Sequence, residues 1–200
     1  MSENDVQILG AGQVGSGDYR KVTINGSGNI TGRINAETVT VNGVATASEL
    51  LTAQKLEVNG TFSGNHLKGG RMIIRGAADL KGTVECEHFE LNGGIKCETI
   101  NAERIEIRHM GHGEVKELVG SQINIKGTIP ALTILNIEIK PLVFSARLIE
   151  ADEVYLESTD ADVVCGNIVH IGRGCRIGRV EYRDSLKVAD GSSVGQIVKD

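Results

Sequence analysis

The stretch Val22–Gly43, VTINGSGNITGRINAETVTVNG, opens and closes on nearly the same five letters. Asn-Gly between apolar alternations is a strong hairpin signal, but here the echo is one step of a longer series. An apolar-x-apolar pair recurs at Val22/Ile24, Val39/Val41, Leu56/Val58, Met72/Ile74, Phe89/Leu91, Ile105/Ile107 and Ile123/Ile125, at a nearly constant step along the chain. It returns at Val154/Leu156 and Val169/Ile171. Two further columns test this alignment independently. Five places before each pair stand Ile34, Leu51, Leu67, Val84, Ile100, Leu118, Ile149 and Val164, all apolar. Three places before it stand Ala36, Ala53, Gly69, Cys86, Ala102, Gly120, Ala151 and Gly166, all small.

A fixed period of about 17 residues is a solenoid signature. Each copy is too short for a strand-helix unit and lacks the apolar beat of a helix. The reading is all-β: a right-handed parallel β-helix of about 17 residues per coil and nine to ten coils. Residues two apart in a strand share a face, so both members of each pair point inward. Asn25-Gly26, Asn42-Gly43, Asn59-Gly60 and Asn92-Gly93 then mark corners, where both residue types tolerate left-handed backbone. The segments that follow (SGNI, VATA, TFSG, GIKC) are too weak to be hairpin return strands.

The first copy fails the column test, with Gly17 and Tyr19 in the two positions. Residues 1–18 are therefore expected as a flexible tail, 19–192 as one β-helix domain and 193–200 as a C-terminal tail. The period falters over 127–148. There Ile137/Ile139 is either another pair or part of a loop leaving the coil. Past Ile171 the spacing shortens, with pairs at Val180/Tyr182 and Leu186/Val188, as in a closing region.

Composition suits a thin β layer. Aromatic residues make up 3% and Trp is absent, which argues against an enzyme cleft built on rings. The net charge of −5 gives no surface for nucleic acid. Cys86, Cys97, Cys165 and Cys175 form no CxxC pair, and the N-terminus has no signal-peptide pattern, so the expected setting is cytoplasmic with reduced thiols.

Candidate chemistry is sparse. HIGRGCRIG (His170–Gly178) carries one beat of a hexapeptide repeat, which makes His170 a nominal general base and an acyltransferase-like β-helix the alternative function. His109 with His112, or Cys165, His170 and Cys175, lack the close Cys/His pairs of closed zinc sites. No catalytic residue, cofactor or metal is assigned, and the chain is read as a non-enzyme.

A β-helix exposes unpaired backbone at both ends, which invites another chain. The expected assembly faces are Val22, Ile24, Ile30 and Ile34 at one end and Val180, Tyr182, Leu186 and Val188 at the other. Leu142, Val143 and Phe144, in the most apolar connector, are expected to touch a partner or membrane. A non-polymerising adaptor is a further alternative.

The recurring G-x-I/L-x-A-x-x-V-x-V-x-G, as in GRINAETVTVNG and SELLTAQKLEVNG, resembles the bactofilins, bacterial polymer-forming cytoskeletal proteins. The closing segment ARLIEADEVYLESTDADVVCGNIVHIGRGCRIGRVEY resembles their longer Gram-positive, Bacillus-like members. The resemblance implies a triangular right-handed β-helix that polymerises without nucleotide into cytoplasmic filaments. It also implies scaffolding of cell shape, envelope or motility machinery. The partners expected are further copies, a paralogue, envelope or flagellar proteins, and weak contact with the inner face of the cell membrane.

Overall fold

The computed structural model describes residues 4–127, 132–134, 137–139 and 142–200, the two short internal pieces as backbone. Their elements run β1 (Asp5–Val14), β2 (Gly17–Ile30), β3 (Ile34–Ala47), β4 (Leu51–Gly64) and β5 (Leu67–Gly127). Then come β6 (Leu132–Ile134), β7 (Ile137–Ile139), β8 (Phe144–Leu156), β9 (Thr159–Ile171), β10 (Arg176–Val188) and β11 (Ser193–Lys199). The described residues contain no helix. Nine strands pair in the order β1-β2-β3-β4-β5-β8-β9-β10-β11, every neighbour parallel.

The chain is thus a β-solenoid of about 11 turns spaced about 17 residues apart. β5 makes the winding plain. Straight, its 61 residues would span about 200 Å. Instead Gly93 lies against the backbone of Gly76, one coil back.

The inward columns of the sequence are the core. All nine apolar pairs from Val22/Ile24 to Val169/Ile171 are buried, as is the whole Ile34–Val164 column. Two of the three buried phenylalanine rings fit because small residues flank them one coil above and below. Phe62 stands in register between Ala45 and Ala78. Phe144 stands between Gly113 and Thr159, and a Cβ on Gly113 would fall 2.4 Å from the Phe144 ring. Such pairing keeps the interior close-packed without strain.

The Asn-Gly corners divide their labour differently from the sequence expectation. Glycine alone takes positive φ there, for example 136° at Gly43 and 140° at Gly60. Each corner glycine packs on the carbonyl of the one below, so a Cβ on Gly43 would lie 2.2 Å from the Gly26 oxygen. Among the described residues no asparagine has positive φ. Instead the side chains form a ladder: Asn42 donates to Asn25 at 2.8 Å and Asn59 donates to Asn42 at 3.0 Å. The amides stack because the period is constant.

Four boundaries differ from the sequence reading. The segment expected as a flexible N-terminal tail contains β1, which pairs with β2 along its whole length, Val6 on Val22 and Ile8 on Ile24. The expected C-terminal tail is β11, which covers Arg176–Tyr182. Both add coils beyond the nine or ten counted. Val180 and Tyr182 are not a shortened repeat: they register with Val164 and Gly166 in the two preceding columns, and Leu186 lies one full coil after its partner Val169. Last, Ile137/Ile139 is no solenoid pair. β6 and β7 pair antiparallel with each other, and β5 registers directly on β8 with Ile125 beside Leu156.

Candidate assembly surfaces

The solenoid has two outermost edges among its described residues, and both follow from the columns. β1 pairs on one side only, with β2. Its inward residues Ile8 and Val14 are buried, Val6 is half-buried, and Leu9 is 73% exposed. Tyr19 closes this end. Among the described residues it is the outermost of the small column, beside Ala36, and its hydroxyl donates to the Gly15 carbonyl at 2.9 Å.

The opposite edge is formed by β11 and by Ser185–Val188 of β10, which register only with β9. Inward columns open to solvent here: Ile197 is 53% and Val188 41% exposed. Tyr182 takes the small column at this end, with Lys199 Nζ 5.9 Å from its ring centroid. Bare backbone beside apolar side chains is an edge that can pair with another strand.

The assembly residues expected from sequence lie close to these edges but do not all form them. Val22, Ile24, Ile30 and Ile34 are buried: β1 covers the first three and moves that edge outward by one coil, and Gly17 of β2 registers on Ile34. Val180 is buried beneath β11, Tyr182 and Leu186 are half-buried, and Val188 is exposed. Sequence reasoning missed Val6, Ile8 and Leu9. Their signal was present: Val6/Ile8 lies one coil before Val22/Ile24, with Gly10 in the corner column.

Phe144 is not a surface contact either. It is fully buried over Gly113, 6.0 Å from the His109 ring centroid. Leu142 is 37% exposed and Val143 half-buried, so two of that trio remain accessible.

The chemical candidates are scattered. His109 is buried and His112 exposed, on opposite sides of the wall. Burial holds the His109 pKa below the ordinary 6.5, and a hydrogen bond to the Glu157 backbone partly opposes this. His170 lies on the outer face beside Tyr155, 6.5 Å between ring centroids, in a shallow groove with Arg104, Glu106 and Asn124. Cys175 is buried while Cys165 is half-buried. No group of three or more His, Cys, Asp or Glu could hold a metal ion among the described residues. Burial drives the thiols away from thiolate character, Cys86 and Cys97 to about 12 and Cys165 to about 11. No described helix is long and apolar enough to cross a membrane.

No family model matches the chain, and no solved structure matches it. A 37-residue stretch is 60% identical to "Uncharacterized protein YhbF" of Bacillus subtilis (strain 168), covering 18% of this chain and 16% of that protein.

Proposed function

We propose that this chain is a cytoskeletal scaffold that polymerises without nucleotide by stacking the end coils of its β-solenoid. The observation that carries this reading is the pair of open parallel edges, each with exposed aliphatic side chains: Leu9 at one end, Val188 and Ile197 at the other. Adding a coil from another copy extends the sheet the chain already makes, at about 4.8 Å per step. The bactofilin-like repeat and closing segment support the same reading. On that resemblance the filament is cytoplasmic, lies at the inner face of the membrane, and serves cell shape, envelope or motility machinery.

Negative-stain electron microscopy of the purified chain at low micromolar concentration, without nucleotide or metal, tests it. Thin filaments are expected. Ile197→Asp, at a solvent-facing end position, is expected to keep the strand signal of the fold and lose the filaments. Discrete particles from the wild type at all salt and pH conditions would remove the scaffold reading.

A further inference from the structure

We propose that the wall of the solenoid carrying the apolar pairs lies against an anionic lipid surface and is held there by charge. Such contact gives the membrane-side location of the reading above its surface, and rests on that location rather than on polymerisation.

The net charge of −5 conceals how the winding sorts charge. Residues alternate across a strand, so the outward positions around each apolar pair stack into three columns. From the coil of Lys21 to that of Lys126, the column before the pair carries Lys21, Lys55, Arg71 and Arg104. The column after it carries Arg75, Arg108 and Lys126. All seven are exposed, while the carboxylates of the middle column, Glu57, Glu90 and Glu106, are half-buried. These three pair with Lys55, Arg71, Arg75 and Arg104. Seven cations against three carboxylates leave an excess of four positive charges.

The adjoining wall has the opposite sign. Exposed Glu37, Glu85, Glu87 and Glu103 follow the outward alternation set by the Ile34 column and the small column. The ladder skips Glu37 between Ala36 and Thr38, which marks the corner between the two walls.

Shape and chemistry choose the partner. Six steps of about 4.8 Å make the cationic wall about 29 Å long, and four residues of strand make it about 13 Å wide. Columns at a constant step present a planar array, which matches a bilayer surface, whereas a duplex would meet it along one line. Single-stranded nucleic acid binds on aromatic platforms, and these positions hold no Phe, Tyr or Trp. Ile73, the one aliphatic residue among them, is 6% exposed, so nothing inserts between lipids. Attraction to anionic headgroups is then the whole contact, weak for one chain and additive along an array of copies. The same surface repels the acidic wall, which fixes the rotation of the solenoid about its axis.

The test is flotation of the full chain with vesicles of phosphatidylcholine, alone or mixed with phosphatidylglycerol. Wild type is expected to float with the mixed vesicles at low salt and to be released at about 1 M salt, where the Debye length is about 3 Å. Arg104→Glu with Arg108→Glu is expected to weaken flotation about tenfold or more. Lys68→Glu with Arg183→Glu makes the same change in net charge on the acidic wall and is expected to retain it. Equal flotation with neutral vesicles, flotation that survives high salt, undiminished flotation of the Arg104/Arg108 variant, or equal loss in both double variants overturns the proposal. So does wild type that bundles side by side at low salt without floating, which gives the cationic wall to the acidic wall of a second copy. The salt and lipid arms use wild type alone, so a variant that misfolds does not shield the proposal. Filaments that do not float remove the lipid contact and leave polymerisation standing; particles that float without forming filaments do the reverse.

Discussion

The same corner of the solenoid is built in two ways, and the contrast separates what is periodic from what is free. From Gly26 to Gly93 the corner is a stack of glycines at positive φ, lined outside by asparagine amides from Asn25 to Asn59. Beyond Ile107 that stack ends. His109 is buried, β5 stops at Gly127 and β8 starts at Phe144. The corner one coil after Gly127 is made by Ser158, the one non-glycine with positive φ among the described residues. The coil from Phe144 to its partner Thr159 is then shorter than the coil from Gly26 to its partner Gly43. Inward columns run on undisturbed through both regions. The core fixes the strands, while the corner needs only to turn the chain and satisfy its backbone.

Three substitutions break or sharpen this contrast. The largest effect is expected from Gly43→Val. It forces a β-branched residue to a φ of 136° with its Cβ 2.2 Å from the Gly26 carbonyl oxygen. A loss of more than about 3 kcal/mol, read by chemical denaturation, is expected. A stability within about 1 kcal/mol of wild type would show that the glycine stack is decorative.

The second concerns the other kind of corner. Burial makes protonated His109 unfavourable, so its folded pKa lies below the unfolded value near 6.5. The unfolded chain then binds more protons, and stability is full above that value and falls as pH drops through it toward the lowered folded pKa. His109→Gln is expected to flatten this part of the stability–pH curve between pH 7 and 5. Identical wild-type and variant slopes would exclude His109 as the source.

The smallest effect is expected from Asn42→Ala. It interrupts the ladder at both of its amide bonds. Because these groups are exposed, about 1 kcal/mol or less is expected. A loss as large as that of Gly43→Val would transfer the corner's stability from backbone to side chains.

Period, columns and corners were legible because each inward position constrains its counterpart one coil away. Every residue from Ile34 to Val164 in the apolar column carried that mark. The terminal coils were harder to read for a physical reason. Near the ends the small column relaxes: Tyr182 lies between Gly166 and Lys199, and Tyr19 lies on Ala36, where interior coils carry Ala, Gly or Cys, and the column test fails there. The insertion was ambiguous because Ile137-Glu138-Ile139 has the alternation of a solenoid strand. Local pattern does not say which strand it pairs with, and Ile137 pairs with Ile134. Phe144 looked like a surface hydrophobe because its counterpart, Gly113, is invisible to any search for apolar neighbours.

The direct registry of β5 on β8 has a practical meaning. The ladder passes from Ile125 to Leu156 as though residues 128–143 were not in the chain. In a quasi-one-dimensional protein whose coils answer only to their neighbours, such a bypass is an open port. Length and chemistry can be exchanged there without retuning any column. A fluorescent domain or affinity tag spliced between Gly127 and Leu142 would ride on the wall of the solenoid and leave both ends clear.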